Sequence, residues 1–227
     1  MQDNTPTAQA QAPRPVSATE AMACALRDEI LAGALPPGTR LPEEQLAARF
    51  GVARPTVRAA VQTLVFEGLL RRERSQSAHV PRLTADDVRD LFLARTALEL
   101  EAIHILVERG VRPLGAEREL ERLEVQTGEQ TWSQVVDAAI GFHRGLVEAV
   151  ESSRLSRVFG ALEGEVRLCF AHLKLANGGL PADRTVEHRR IFELIVDRDA
   201  DGAVGLMREH LASGARLSLQ FPLKTGT

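Results

Sequence analysis

Residues 41–70, LPEEQLAARFGVARPTVRAAVQTLVFEGLL, decide the fold of the N-terminal part of this chain. Before Gly51, the spacing of Leu46, Ala47 and Phe50 predicts one apolar face of a short helix. After Gly51, apolar residues recur at helical spacing at Val57, Ala60, Val61, Leu64 and Val65. Because glycine interrupts a helical pattern, the stretch predicts two short helices joined by a tight turn, a helix-turn-helix.

The start of the second predicted helix carries side chains suited to contact with DNA. Arg54, Thr56 and Arg58 lie within its first turn and a half, away from its apolar face. In a helix-turn-helix this end enters the major groove, where such side chains reach base edges. A plain helical hairpin is the alternative, because any two amphipathic helices around a glycine give a similar pattern.

The segments on both sides favour DNA binding. Upstream, residues 26–41 end a helix at Gly33 and turn through Pro-Pro-Gly into the helix pair. Downstream, residues 70–80, LRRERSQSAHV, suit a short two-stranded wing that bears Arg71, Arg72 and Arg74. We expect Arg72 and Arg74 to add contacts to DNA.

Residues 41–58 resemble the helix-turn-helix of the GntR family of bacterial transcription regulators, with its run L-x-E-x-x-L-A-x-x-x-G-V-S-R-x-x-V-R. Matching positions include Leu41, Leu46, Ala47, Gly51, Val52, Arg54, Val57 and Arg58. Ala53 replaces the usual Ser and removes a helix cap worth ~1 kcal/mol. Pro55-Thr56 reverses the usual Thr-Pro, and Ser77 stands where the wing tip often has Gly. The resemblance implies a winged helix-turn-helix that binds a double-stranded DNA operator.

Helical signals continue to the C-terminus. Ser17 and Thr84 are predicted helix caps, the second for a long helix reaching about Arg109. Further helices are predicted near 115–126, 131–151, 153–176, 185–197 and 200–219. We therefore predict a mainly α protein with three parts: a disordered tail at 1–16, a winged helix-turn-helix at 17–82, and an all-α bundle of about six helices at 83–227.

The charge is divided unevenly along the 227 residues. Residues 36–82 hold eight Arg against four Glu, whereas residues 83–227 hold 18 basic against 23 acidic side chains. The basic part contains the groove-facing helix and can supply phosphate contacts.

No long apolar run or signal-like N-terminus is present, so we expect a cytoplasmic protein without a membrane segment. Cys24 and Cys169 lack metal-type spacing and are predicted as reduced, buried thiols.

Three histidines of the predicted bundle lie on the apolar faces of three different helices. His143 follows Ala139 and Ile140, His188 precedes Ile191 and Phe192, and His210 follows Leu206 and Met207. An isolated core histidine is usually a packing residue. Three that converge are suitable ligands for Zn, Mn, Ni or Fe.

The C-terminal part is similar to the FCD domains of the FadR-like branch of the GntR family. The similarity rests on R-x-x-L-E at 95–99, F-H-x-x-L at 142–146, E-H-x-x-I at 187–191 and D-x-x-x-A-x-x-x-M-x-x-H at 199–210. It implies that His143, His188 and His210 bind a divalent metal beside a pocket for a small organic acid.

The fourth ligand of the family, an Asp one turn before the first His, is replaced here by Ala139. Asp137 lies about 120° away around the helix and cannot take its place. Three histidines can still hold a metal, with water or an effector carboxylate completing its shell. His172 is a possible fourth ligand, although packing is the simpler interpretation.

Arg95 and Arg167 are candidate effector-binding residues. Arg95 lies among apolar residues of the long helix, and a guanidinium that faces a cavity suits bidentate carboxylate binding. An ion pair with Glu99, four residues on, is equally compatible with its spacing. Arg167 is a weaker candidate of the same kind.

Two functions from different classes fit these residues. One is a ligand-responsive transcription regulator, a repressor released by an organic acid that binds a short palindrome as a homodimer. The other is a metal-dependent hydrolase or oxygenase that uses the three histidines. Such an enzyme needs an acid or base beside the metal, and no carboxylate lies at helical spacing to these histidines on the inward face. The sequence therefore favours the regulator.

Overall fold

The computed structural model describes residues 17–74, 76–125, 131–177 and 183–219, so the tail predicted at 1–16 lies outside the described residues. The N-terminal part contains α1 Ala18–Leu31, β1 Arg40–Leu41, α2 Glu43–Phe50, α3 Arg54–Phe66 and β2 Ala78–His79. The bundle contains α4 Ala85–Arg109, α5 Leu114–Glu124, α6 Trp132–Glu148, α7 Ser153–Asn177, α8 Asp183–Val196 and α9 Ala200–Leu219. The predicted mainly α fold is confirmed.

The helix pair forms as its sequence predicts. Gly51 ends α2 in the left-handed conformation, at φ 65°, and its N–H donates to the carbonyl oxygen of Ala47. Ala53 provides no side-chain cap for α3, and Pro55 lies in the first turn, where a helix does not need its N–H. Val57 and Val61 are fully buried, so the opposite face of α3 is left for solvent.

A small sheet completes the N-terminal part. β1 pairs antiparallel with β2, with Arg40 opposite His79 and Leu41 opposite Ala78. On the other side, Arg71 forms an isolated bridge with His79. The wing therefore includes a strand from before α2, which the sequence analysis did not predict. Two residues are too few to show the alternation that indicates a strand.

The long helix α4 begins at a cap and packs against the helices that carry the histidines. The side chain of Thr84 accepts from the N–H of Asp87, and the Asp87 carboxylate accepts from the N–H of Thr84, so the predicted cap is a complete capping box. The helix packs against α6, α7, α8 and α9. Its inward face therefore meets three helices that each carry one of the histidines.

The segment just after α3 and the bundle are in direct backbone contact. Gly68, just after α3, has φ 75° and lies against Gly164 of α7. A Cβ on Gly164 would be 2.0 Å from the carbonyl oxygen of Glu67, so only glycine permits this approach. Nearby, Arg71 pairs with Glu165 at 3.1 Å. A shift of α7 would therefore displace the end of α3.

Two further expectations concern the cysteines and the membrane. Cys169 is buried as predicted, but Cys24 is exposed. The buried face of α1 is formed by Met22, Leu26 and Ile30 at four-residue spacing, and Cys24 lies two residues away from that face. Among the described helices, none has the length and apolar character needed to cross a membrane.

Candidate functional site

The start of α3 presents two arginines to solvent. The side chains of Arg54 and Arg58 are 64% and 68% exposed. Arg54 Nη2 donates to Glu44 Oε1 at 2.9 Å, and Arg58 Nη2 donates to Glu43 Oε2 at 3.3 Å. Exposed ion pairs of this kind contribute about 0–1 kcal/mol, so DNA phosphates or bases can displace the carboxylates.

Glu43 connects the wing arginine Arg72 to Arg58 of α3, and the sequence analysis did not single out this glutamate. Arg72 Nη2 donates to Glu43 Oε1 at 2.7 Å, while the other oxygen accepts from Arg58. Burial raises the pKa of Glu43, but the hydrogen bonds from Arg72 and Arg58 outweigh it and hold the pKa below its usual value. Of the other two predicted contacts, Thr56 is partly buried and Arg74 is exposed.

The three predicted histidines converge inside the bundle. His143 of α6, His188 of α8 and His210 of α9 are all buried. Their Nε2 atoms face one another: that of His143 is 3.2 Å from that of His188 and 3.3 Å from that of His210. Together they form a group of three potential metal ligands.

Two carboxylates orient two of these rings, those of His143 and His210. Glu99 of α4 is fully buried; its Oε2 lies 2.6 Å from His143 Nδ1, and its Oε1 accepts from Arg95 Nε at 2.9 Å. Glu187 Oε2 lies 2.7 Å from His210 Nδ1. The search for carboxylates at helical spacing to the histidines missed both residues, because these contacts join different helices. The R-x-x-L-E and E-H-x-x-I motifs contain both residues and were the available signal.

The three histidines line a small cavity, here called the histidine cavity, and its surroundings keep their imidazoles neutral. Burial lowers the pKa of His143, His188 and His210 well below the usual value, and the positive charge of Arg95 adds to the effect. Burial also raises the pKa of Glu99, against the effect of Arg95. A carboxylate accepts hydrogen bonds, so the Nδ1 atoms of His143 and His210 carry the hydrogens and their Nε2 lone pairs point to the centre.

This donor set fits a divalent metal. Ligands at about 2.0–2.1 Å from a tetrahedral ion lie about 3.3 Å apart, close to the two Nε2 separations observed. The carboxylate–histidine arrangement at His143 and His210 is the usual outer shell of such ligands. Among the described residues, His188 Nδ1 is buried without a hydrogen-bond partner. His172, the possible fourth ligand, is only partly buried and is not in the group.

The position of the missing aspartate is filled by apolar packing. Ala139 is buried against Leu123, and Phe170 packs on the same cluster and also lines the histidine cavity. Asp137 points elsewhere and pairs with Arg167. Arg167 consequently lines a separate surface cleft and not the cavity, which corrects its proposed role beside the histidines.

The cavity beside the histidines is small, about 30 Å³, which is room for one or two water molecules. Its walls include Phe92, Val166, Cys169, Phe170, Leu173 and Leu217. Arg95 lines the cavity and also pairs with Glu99. The two alternatives for Arg95, a place beside a cavity and an ion pair with Glu99, are therefore both present. The sequence analysis missed a second guanidinium, that of Arg184, which also lines the cavity. Its place one turn before His188 on α8 was the signal.

Comparison with known proteins agrees with this architecture. The family "Bacterial regulatory proteins, gntR family" matches residues 18–80, and the FCD domain matches residues 90–213. The chain is 31% identical over 212 residues to the HTH-type transcriptional regulator BphR of Paraburkholderia xenovorans (strain LB400), covering 87% of this chain and 84% of that protein. It is 29% identical over 140 residues to the gluconate operon transcriptional repressor of Bacillus subtilis (strain 168), covering 61% and 57%.

A solved structure is similar over nearly the whole length. The crystal structure of a transcriptional regulator GntR from Rhodococcus sp. RHA1 has a TM-score of 0.71 at 25% identity, covering 89% of this chain and 98% of that one. The relatives are transcription regulators and not enzymes, so the alternative of a metal-dependent enzyme is not supported. The chain belongs to the GntR family of bacterial transcription regulators and carries an FCD domain.

Proposed function

We propose that this protein is a ligand-responsive repressor that binds a short palindromic operator as a homodimer and is released by a small organic acid. The observation that carries the proposal is the position of α7. One face of this helix lines the histidine cavity with Val166 and Phe170. Gly164 of the same helix contacts Glu67 and Gly68, at the C-terminal end of α3. A ligand that moves α7 therefore moves the helix proposed to read DNA. The similarity to an operon repressor supports the direction of control.

The DNA contacts divide into two kinds. Arg54, Thr56 and Arg58 lie at the N-terminal end of α3, which is proposed to enter the major groove so that these side chains reach base edges. Arg72 and Arg74 of the wing are proposed to contact phosphates, which supply affinity without sequence preference. One helix reads one half-site, so a two-fold dimer on a palindrome matches this geometry. A regulator of bacterial genes acts at the chromosome, and hence in the cytoplasm.

We propose further that His143, His188 and His210 hold a divalent metal such as Zn, Mn, Ni or Fe. A metal held there would act as a Lewis acid, and a coordination position that the three histidines leave free would accept an effector carboxylate. The guanidinium of Arg95, held by Glu99, is suited to bind the same acid. The effector changes DNA affinity only if it binds the two conformations of the bundle unequally.

The response to an acid can be tested directly. Binding of an operator fragment is followed by fluorescence anisotropy, with and without a panel of small mono-, di- and tricarboxylic acids. We expect one class of acid to weaken DNA binding by wild type at least about tenfold, within the usual range of allosteric coupling. Arg95→Gln should still bind the operator but lose the response. Arg89→Gln is the matched control, because Arg89 is an exposed arginine on the same helix.

Two results would refute the proposed response. One is that no acid changes the affinity of wild type for DNA, and the other is that Arg95→Gln responds as wild type does.

The metal is tested separately by elemental analysis and by thermal melting with and without chelator. His188→Ala should purify with less metal, whereas His104→Ala, which removes an exposed histidine, should match wild type. Equal, metal-free preparations of wild type and His188→Ala would exclude the metal.

A further inference from the structure

Arg184 of α8 lies against a nitrogen that the proposed metal needs. The residue is 8% exposed. Its Nη2 lies 3.2 Å from His210 Nε2, while Nη1 donates to the carbonyl oxygen of His210 at 3.0 Å and to Glu187 Oε2 at 3.1 Å. These contacts fix the guanidinium beside the convergence point of the three rings.

His210 Nε2 can accept a hydrogen bond from Arg184 or bind a metal ion, but it cannot do both at once. Glu187 accepts from Nδ1 of the ring, so Nε2 carries no hydrogen and has one lone pair. Arg184 donates to that lone pair, and a metal ion bound there would need the same electrons. The permanent charge of the guanidinium would also repel a divalent cation at such a short distance.

We propose that Arg184 is a built-in competitor for the metal. In the metal-free protein its guanidinium occupies the ligand nitrogen of His210, and it must turn away when the ion binds. This inference rests on the metal site proposed above and deepens it. An anionic effector offers the displaced guanidinium a new acceptor, so acid and metal bind cooperatively.

A purely supporting role for Arg184 predicts the opposite result. The same guanidinium also holds Glu187, which orients His210. If that were its only role, removing it would weaken metal binding, as loss of an outer-shell partner commonly does by about 10- to 100-fold. If Arg184 competes with the metal, its removal tightens binding. The direction of the change therefore separates the two roles.

The test measures the affinity for Zn²⁺ alone, by competition with a chromophoric chelator. We expect Arg184→Gln to bind Zn²⁺ about tenfold or more tightly than wild type, since a hydrogen bond from a charged donor is lost only by the metal-free state. Arg190→Gln is the matched control, because Arg190 lies on the same helix and also pairs with a glutamate three residues on, but in solvent. It should bind Zn²⁺ as wild type does. His188→Ala should abolish binding.

Equal or weaker Zn²⁺ binding by Arg184→Gln would overturn the inference. Circular dichroism checks that each variant is folded, and Arg184→Lys provides a second test, with an expected affinity between those of wild type and Arg184→Gln. A lysine that binds no more tightly than wild type also counts against competition. If His188→Ala binds Zn²⁺ as wild type does, or if neither protein binds Zn²⁺, the metal of the proposed function is wrong and this inference falls with it. Operator binding, measured in parallel, shows whether the regulator itself survives.

Discussion

Glu99→Ala removes the carboxylate that joins Arg95 to His143 of the histidine cluster. Glu99 is fully buried, with Arg95 Nε at 2.9 Å and His143 Nδ1 at 2.6 Å. The alanine variant leaves the Arg95 guanidinium buried without its anion, and breaking a buried pair in this way costs about 3–5 kcal/mol. In a protein of this length, each kcal/mol lowers the melting temperature by about 2–4 °C. We therefore expect the melting temperature to fall by about 6–20 °C.

The assay is thermal melting together with urea unfolding, both followed by circular dichroism, with chelator present so that bound metal does not contribute. Glu101→Ala is the control, because Glu101 is an exposed glutamate on the same helix. Its free energy of unfolding should stay within about 0.5 kcal/mol of wild type. If Glu99→Ala also unfolds within about 1 kcal/mol of that control, Glu99 does not hold Arg95 and the histidines in place, and this reasoning is refuted.

Three further substitutions test other parts of the structure. Arg72→Ala should weaken binding to all DNA sequences alike and reduce the salt dependence by about one ion, measured by anisotropy over a salt series. Gly164→Ala should destabilise the junction with Glu67 by about 1–3 kcal/mol in urea unfolding, because its Cβ overlaps backbone; unchanged stability would contradict that contact. Ala139→Asp should slow metal loss to chelator by restoring a carboxylate one turn before His143, and an unchanged rate would count against the missing-ligand argument.

The helices were predictable because their signals are local. Thr84 and Asp87 lie three residues apart and Gly51 interrupts one short segment, so the sequence alone indicates where α4 begins and α2 ends. The inward direction of each histidine follows from the spacing of apolar residues along its own helix. Strand β1 has no such signal, because it exists only through its pairing with β2.

The contacts between helices around the cavity could not be predicted from helical spacing, because they join residues far apart in the chain. His143 and Glu99 are separated by 44 residues, and Arg184 and His210 by 26. Helical spacing locates neighbours on one helix and carries no information about the facing one. For the same reason Arg167 was assigned to the cavity, although its partner Asp137 lies on another helix and outside the cavity.

We propose that the start of α3 reads an operator. The most direct measurement is sequencing of the genomic fragments retained by purified wild type and by the double variant Arg54→Ala, Arg58→Ala. We predict that wild type enriches a few fragments that share a palindrome with half-sites about one helical turn apart, and that the double variant does not. Each single change should cost about 1–3 kcal/mol on the enriched site. Enrichment of the same fragments by both proteins, or of no common sequence by wild type, would contradict the claim.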